Sequence, residues 1–410
     1  MTVVEKVQSK VPRLRFPEFN GAWEENNLGS VSKNVMYGAG AAATEYDGTN
    51  GYIRITDIDD ESRDFLDVKI SSPEGEWDDK YILKEGDLVF ARTGASTGKC
   101  YKYKKPDGRL FFAGFLIKAG LDESYIDFVY QNTFRPSYWR WISVMSVRSG
   151  QPGINAEELK SYKFNAPKEV ERKKISRLLI SVDKKNSLLK QKHEQLVQYK
   201  KGIMQQLFSQ QLRFKDDNGQ GFPDWTKNRV DYYVERTSDP IEVEKNESYR
   251  QIGIRSHGKG IFHKEQVTGQ ELGDKRVFWV HPKALVLNIV FAWEHAVALT
   301  SDREKGFVAS HRFPMYVPKS NRVDLDFMAL FFLRKRGKYL LGVASPGGAG
   351  RNKTLGQSNF AELKVTCPCL EEQKKIASFV NCIDQKINLA QQQIKQTQAY
   401  KQGLLQQMFV

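Results

Sequence analysis

Cysteine is scarce in this chain of 410 residues, and so are long apolar runs. Four cysteines are too few to cross-link a chain of this size, and no second close pair joins Cys367 and Cys369 to complete a four-ligand zinc site. The longest apolar runs, near 285–293 and 327–333, are far shorter than the roughly 20 residues of a membrane-spanning helix. The amino-terminal segment MTVVEKVQSKVPRLRFP has no apolar core typical of a secretory signal. We therefore expect reduced thiols and a cytoplasmic protein.

Motifs of enzymatic chemistry are also missing. An enzyme that methylates adenine needs a loop of the Asp/Asn-Pro-Pro-Tyr type at the flipped base, and the 14 prolines include no Pro-Pro pair. GAGAAA (38–43) fits only a loose dinucleotide-binding pattern, and GASTGK (94–99) is one residue short of a phosphate loop. The six histidines are scattered without metal-ligand spacing. We therefore predict no catalytic residues, no metal site and no cofactor in this chain.

Basic residues are in excess, at 63 Lys and Arg against 49 Asp and Glu, which gives a net charge of +14. This excess favours a polyanionic partner such as nucleic acid. Residues 1–166 nevertheless carry 22 basic and 24 acidic side chains, so DNA binding by this part requires a local patch.

An internal repeat organises the chain. Residues 167–209 align without a gap to residues 368–410, and 16 of the 43 positions are identical. The identities include the two endings, YKKGIMQQLF and YKQGLLQQMF. Each copy opens with a proline followed by acidic residues and contains no further proline, which predicts a long helix.

The apolar positions of both predicted helices follow a heptad spacing that polar residues interrupt at equivalent places, such as Lys185 and Lys386. An apolar seam interrupted in this way would stabilise a homodimeric coiled coil only weakly. It favours two helices of one chain that pack antiparallel. About 40 residues of helix span about 60 Å, so the pair can act as a molecular ruler. The alternative for either copy alone is a solvated helical linker.

Residues 1–166 and 210–367, the two blocks that precede the helices, share several sequence motifs. They open with RFPEFNGAW and RFKDDNGQGFPDW, and each has a strand-like run, GDLVFART (86–93) and KALVLNIV (283–290). AGFLI (113–117) and ASHRF (309–313) follow, and then the Gly-rich loops RSGQPGIN (148–155) and SPGGAGRNKT (345–354). We expect two related domains of mixed α/β structure.

With these motifs, the whole chain resembles the specificity subunit of a Type I restriction–modification enzyme. PKEVERKKI and PCLEEQKKI resemble the family's helix opening, in which a proline is followed a few residues later by Glu-Gln-x-x-Ile. The first segment departs from this pattern, because Arg172 stands where glutamine is usual. FARTGASTGK (90–99) is similar to a segment common in the family's target-recognition domains.

The resemblance implies a non-catalytic DNA reader of α+β fold. Two target-recognition domains would each read half of an interrupted site, and the paired helices would fix the gap and dock two adenine-methylating modification subunits. Restriction subunits would join that core, and S-adenosylmethionine, ATP and Mg would be bound by the partners. We assign 1–166 and 210–367 to the recognition domains, and 167–209 and 368–410 to helices that pack as an antiparallel coiled coil with approximate twofold symmetry.

The candidate DNA-binding residues are side chains suited to base edges or phosphates, in or near the Gly-rich segments. In the first block they are Arg92, Thr93, Lys99, Lys102, Lys104, Arg148, Ser149, Gln151 and Asn155. In the second block they are Arg255, His257, Lys259, His311, Arg312, Arg351, Asn352 and Lys353. The alternative for each of them is a solvated surface side chain or a turn residue.

The candidate docking residues lie in the repeated helix endings. They are Gly202, Gln205, Gln206, Phe208, Gly403, Gln406, Gln407 and Phe409. Glycine inside an exposed helix costs about 1 kcal/mol relative to alanine, so its repetition suggests close approach by the partner helix or a docked subunit. A fray point near each helix end is the alternative.

Three other interpretations remain open from the sequence. The first is an orphan specificity subunit without working partners, the second a stand-alone DNA-modifying enzyme, and the third a structural coiled-coil protein. Binding of S-adenosylmethionine by the purified chain would favour the enzyme, and tolerance of a scrambled block would favour the structural protein.

Overall fold

The computed structural model describes residues 10–273, 275–347 and 353–410. The chain divides into two compact units, one formed by residues up to His193 with Ala390–Val410, the other by Glu194–Leu389. Both units include parts of two long helices, each of which begins in one unit and ends in the other. Within the described residues, no helix is long and apolar enough to cross a membrane.

The first unit is built around an antiparallel sheet with the strand order β2-β9-β6-β7. All four residues of β6 are buried, as expected from the LVFA run in the strand-like segment. Its strands are β1 (Glu24–Asn27), β2 (Ser32–Tyr37), β3 (Ala43–Glu45), β4 (Gly51–Ile53), β5 (Ser71–Pro73), β6 (Leu88–Ala91), β7 (Cys100–Lys102), β8 (Leu110–Phe112), β9 (Leu116–Leu121) and β10 (Lys163–Ala166). Its helices are α1 (Ile126–Asn132), α2 (Pro136–Met145), α3 (Ala156–Lys160) and the first part of α4 (Glu169–Phe208).

The second unit repeats this sheet as β12-β19-β16-β17. Its strands are β11 (Thr226–Arg229), β12 (Val234–Thr237), β13 (Ser248–Ile254), β14 (Ile261–Thr268), β15 (Val277–Trp279), β16 (Leu285–Leu287), β17 (Val297–Leu299), β18 (Val308–Ser310), β19 (Met315–Pro318) and β20 (Lys364–Cys367). Its helices are α5 (Val230–Tyr233), α6 (Gly269–Leu272), α7 (Leu325–Phe332), α8 (Lys335–Val343), α9 (Gln357–Glu362) and the first part of α10 (Leu370–Gln407).

Smaller pairings are repeated as well. The strand that follows each tryptophan, Trp23 or Trp225, pairs antiparallel with the strand that leads into the long helix, as β1·β10 and β11·β20. Each unit also contains a parallel pair, β4·β8 in the first and β13·β18 in the second. The predicted relationship between the two blocks is therefore visible in their strand pairing.

The long helices pack antiparallel within each unit, as predicted. In the first unit, Lys401 of α10 forms an ion pair with Asp183 of α4, with the nitrogen and oxygen 2.7 Å apart. In the second unit, Lys200 of α4 makes the equivalent ion pair with Asp384 of α10 at 2.6 Å. The first contact joins the later part of α10 to an early part of α4, and the second joins the later part of α4 to an early part of α10, so the two helices run in opposite directions.

The opening of α10 explains the helix signature. Gln373 is buried and its Nε2 donates to the carbonyl of Pro368 at 2.9 Å, while its Oε1 accepts from the backbone NH of Asp324 at 2.9 Å. At the equivalent position of α4, Arg172 donates from Nη1 to the carbonyl of Pro167 at 2.8 Å. The arginine therefore preserves the bond to the proline where this sequence departs from the family pattern.

Candidate nucleic-acid interface

Backbone hydrogen bonds gather three separate segments of the first unit around Arg92. The backbone NH of Arg92 donates to the carbonyl of Phe115 at 3.1 Å, and its own carbonyl accepts from the NH of Ile154 at 2.9 Å. Thr93 pairs with Gly153 in an isolated antiparallel bridge. The end of β6, the turn before β9 and the loop before α3 thus form one surface, which contains several of the predicted residues.

The side chain of Arg92 lies over an aromatic ring. Its guanidinium carbon is 4.8 Å from the ring centroid of Tyr37, whose hydroxyl accepts a hydrogen bond from the backbone NH of Ala156 at 3.0 Å. Within the part of the chain that the structure describes, no carboxylate pairs with this guanidinium. Its hydrogen-bond donors are therefore available to a ligand, and the stacked ring limits its motion.

The loop before α3 uses two of the predicted residues for its own structure. Arg148 donates from Nη2 to both carboxylate oxygens of Glu158, at 2.6 and 2.5 Å. Asn155 caps α3 by accepting from the backbone NH of Glu158 at 2.8 Å. Ser149 and Gln151 are exposed in the same loop. Arg148 and Asn155 are exposed as well, but among the described residues only Ser149 and Gln151 of these four make no side-chain hydrogen bond, so their polar groups are the more available to a ligand.

The three predicted lysines of the first unit are engaged with acidic groups. Lys99 is only 5% exposed, and its Nζ donates to the carbonyl of Ile58 and to Asp60 Oδ1, both at 2.8 Å. The expectation that Lys99 meets a phosphate is corrected here, because burial commits its ammonium group to the protein. Lys102 pairs with Asp127 at 2.5 Å, and Lys104 pairs with Asp64.

Lys102 and Lys104 line a surface cleft of about 570 Å³. Lys105 lies beside them, and Lys173 and Arg177 of α4 contribute further positive charge. The segment KYKK is therefore placed with other basic residues, although acidic residues also line the cleft.

The second unit has the same backbone arrangement around Ile289. Its NH donates to the carbonyl of Arg312 at 3.0 Å, and its carbonyl accepts from the NH of Leu355 at 2.8 Å. Ile289, Arg312 and Leu355 thus occupy the places that Arg92, Phe115 and Ile154 hold in the first unit. The two surfaces share a scaffold but carry different side chains.

The loop RSHGKG joins the surface of the second unit through the turn that follows β16. The backbone NH of His257, which has a left-handed φ of 61°, donates to the carbonyl of Glu294 at 2.7 Å. Lys353 lies with its ammonium 5.7 Å from the ring centroid of Trp293 in the same turn. Arg255, His257, Lys259, His311 and Arg312 are exposed. The candidates Arg351 and Asn352 lie outside the described residues.

Two of the predicted docking residues, Phe208 and Phe409, pack in aromatic clusters of the units. Phe409 is 4% exposed and stacks on Phe128 with ring centroids 4.9 Å apart, next to Trp23. Phe208 stacks in the same way on Phe327 at 5.3 Å, with Trp225 nearby. The docking role predicted for Phe409 is corrected, because its ring is buried in an aromatic cluster of its own unit, whereas Phe208 is half-buried and its docking role stays a prediction.

The other docking candidates lie on the helix surfaces. Gly202, Gln205, Gln206, Gln406 and Gln407 are exposed, and Gly403 is half-buried. A Cβ atom added at either glycine would meet nothing within 4 Å. Close approach by the partner helix therefore does not explain the repeated glycine.

The buried thiols are poorly suited to nucleophilic chemistry. Burial raises the pKa of Cys367 to about 12 and also raises the pKa of Cys100. Both thiols are therefore protonated at neutral pH. Among the described residues, no group of three or more His, Cys, Asp or Glu side chains is placed to hold a metal ion.

Two residues of the first surface were not predicted from the sequence. Phe115 is 64% exposed beside Arg92, and Tyr37 supports the guanidinium of Arg92. The motif AGFLI contains Phe115 but gives no sign that its side chain points outward. Tyr37 is 55 residues from Arg92 in the chain, so only the folded structure reveals their contact.

The chain matches the family model of the Type I restriction modification DNA specificity domain over residues 21–198 and 282–398. A protein of Methanocaldococcus jannaschii named as the type I restriction enzyme MjaX specificity subunit is 22% identical over 352 residues, covering 80% of this chain and 78% of the relative. The MjaVIII specificity subunit of the same organism is 20% identical over 368 residues, covering 82% and 80%. The crystal structure of the Type-I restriction-modification system S subunit from M. genitalium aligns with a TM-score of 0.58 at 15% identity, covering 98% of this chain and 99% of that chain.

Proposed function

The chain belongs to the Type I restriction–modification DNA specificity family, and on that premise we propose that it reads a DNA target made of two separated half-sites. Residues 1–166 read one half-site and residues 210–367 read the other. The observation that carries this proposal is the repeated arrangement of backbone hydrogen bonds around Arg92 and Ile289. This arrangement presents a different set of side chains in each unit. Two domains with one scaffold and different surfaces are suited to two different sequences.

The paired helices set the gap between the half-sites. Helix α4 runs without interruption from Glu169 to Phe208, and α10 runs from Leu370 to Gln407. Each helix is about 60 Å long at 1.5 Å per residue. A continuous helix resists compression and bending, so its length is a suitable determinant of spacing.

Two modification subunits dock on the helix surfaces. Leu188 and Leu389 occupy equivalent positions of the repeat and are 55% and 54% exposed. Tyr199 and Tyr400, also equivalent, are 51% and 56% exposed. Large apolar side chains left exposed at matching positions support a partner that binds twice, once to each copy of the repeat.

Catalysis belongs to the partners in this proposal. The chain lacks a Pro-Pro loop for a flipped adenine, and its relatives are named as specificity subunits. The modification subunits supply adenine methylation with S-adenosylmethionine, and the restriction subunits supply ATP-dependent cleavage.

The test is a map of adenine methylation in host cells that express the partner genes, with and without this gene. The proposal predicts a two-part motif with a fixed gap that disappears when the gene is deleted. Methylation that is unchanged in cells shown to contain all subunits would refute the assignment. Binding of S-adenosylmethionine by the purified chain alone would instead favour a stand-alone enzyme.

A further inference from the structure

A short turn presents one side chain at the same place in each unit. In the first unit, the NH of Leu116 donates to the carbonyl of Ala113 at 2.8 Å, which closes a turn with Phe115 at its third position. In the second unit, the NH of Phe313 donates to the carbonyl of Ser310 at 2.9 Å, which places Arg312 at the third position. Phe115 and Arg312 are therefore equivalent in the fold.

The backbone of this position is fixed in both units, while its side chain is free. The carbonyl of Phe115 accepts from Arg92 and that of Arg312 from Ile289, at 3.1 and 3.0 Å. The ring of Phe115 is 64% exposed, and the side chain of Arg312 is also exposed. Among the described residues, no carboxylate pairs with the Arg312 guanidinium. A rigid backbone that carries an uncommitted side chain is suited to selective recognition.

The chemistry of the position differs between the units. A phenyl ring offers an apolar contact to the methyl group of thymine in the major groove. A guanidinium offers two parallel donors that match the O6 and N7 acceptors of guanine. Since the scaffold is the same, the difference in side chain leads to a difference in the base that is read.

We propose that Phe115 and Arg312 are equivalent specificity-determining residues, with Phe115 selecting a thymine in one half-site and Arg312 a guanine in the other. This inference rests on the proposed function, in which each unit reads one half-site. It assigns a base preference to one position of each unit, and Phe115 joins the interface as a base-contacting residue. Arg92, adjacent to Phe115, supplies positive charge next to the same contact.

The base contacts are measured with modified DNA and the complex of this chain with its modification subunits. Deoxyuridine replaces each thymine of the first half-site in turn, which removes only the methyl group. At one position we expect binding to weaken about fourfold, the value for one buried methyl-sized group. Replacing each guanine of the second half-site by 7-deazaguanine removes N7 but keeps O6, so one position should lose part of the about five- to 150-fold that a bidentate pair contributes.

Substitutions test whether these losses of DNA affinity depend on Phe115 and Arg312. Phe115→Ala should bind thymine and deoxyuridine duplexes equally, and Arg312→Ala should bind guanine and 7-deazaguanine duplexes equally. Phe115→Arg should introduce a guanine preference into the first half-site without changing the second. Val68→Ala is the matched control, because it removes apolar surface that is 81% exposed elsewhere in the first unit and should retain the deoxyuridine penalty.

The outcomes separate this inference from the proposed function. If the wild-type complex shows a two-part motif but no thymine or guanine position responds to the base analogues, the assignment of Phe115 and Arg312 is overturned while the proposed function stands. A variant that changes the opposite half-site also overturns it. If a variant fails to bind, the analogue series with the wild-type complex still shows whether a thymine position and a guanine position respond, and no response overturns the assignment. Absence of any motif with the wild-type protein refutes the proposed function itself.

Discussion

Arg213 holds Glu372 through two parallel hydrogen bonds, Nη2 to Oε2 at 2.7 Å and Nε to Oε1 at 3.1 Å. The Glu372 side chain is fully buried, at 0% exposure. The first unit repeats the arrangement with Arg15 and Glu171, where both bonds measure 2.7 Å. The arginine that opens each block is thereby tied to the start of the long helix that closes it. The start of each block and its long helix are connected through this contact in each unit.

Loss of the arginine should destabilise the second unit strongly. Arg213→Leu leaves the carboxylate of Glu372 buried without its partner, which costs about 3–5 kcal/mol in free energy of unfolding. The double variant Arg213→Leu/Glu372→Leu should recover much of that loss, because no unpaired charge remains. Urea unfolding measures both. Arg229→Leu is the control, since its pair with Asp231 is half exposed and solvent screening should leave it little effect on stability. Equal stability of the single and double variants would contradict this account.

Acid should weaken the second unit through His295. Burial lowers the pKa of His295 below its usual value of 6.5, and the positive charges of Lys338 and His257 lower it further, while a backbone hydrogen bond at Arg334 opposes the shift. As the pH falls below about 6.5, the unfolded chain binds a proton that the folded chain resists, so the free energy of unfolding decreases. Above that pH the contribution of this histidine is fully present.

The variant His295→Asn removes the titrating group and keeps a residue type that tolerates the left-handed φ of 62°. Guanidinium unfolding at pH 7.5 and 5.5 should show a larger loss of stability for the wild type than for the variant. The difference is bounded by about 1.4 kcal/mol per pH unit for one proton. Identical pH dependence of the two proteins would exclude His295 as the cause.

Replacing the repeated glycines by alanine should raise the stability of the chain and lower its affinity for the modification subunits. Gly202→Ala and Gly403→Ala place a methyl group in open space and should raise the free energy of unfolding by up to about 1 kcal/mol each. If the modification subunits dock there, the same methyl groups obstruct them, and the affinity for these subunits should fall. Thermal unfolding and a binding titration measure the two effects, with the exposed Gln398→Ala as the control. Unchanged affinity would remove both glycines from the docking surface.

Lengthening the helices should change only the gap between half-sites. One heptad inserted into each long helix adds about 10 Å of helix, or about three base pairs at 3.4 Å per pair, if the helices lie along the DNA. Methylation mapping should recover the original half-sites with a longer spacer. An unchanged spacer in a complex that still methylates its target would show that the helices do not set the distance.

The sequence predicted the repeat, the two related blocks and the antiparallel helices, because these depend on patterns that recur along the chain. It did not predict that Lys99 is buried against Asp60, or that Phe409 fills a cluster with Trp23. Both contacts join residues that are distant in the chain, so neither leaves a local pattern. The equivalence of Phe115 and Arg312 was also hidden, since it follows from their backbone hydrogen bonds to Arg92 and Ile289, which the sequence does not show.

The most direct test of the central claim is an exchange of one block. Residues 1–166 are replaced by the corresponding block of a relative, and adenine methylation is mapped in cells that contain the partner subunits. We expect one half of the motif to change while the other half and the gap are retained. A simultaneous change of both halves, or no change in either, would contradict the reading of DNA by two independent domains.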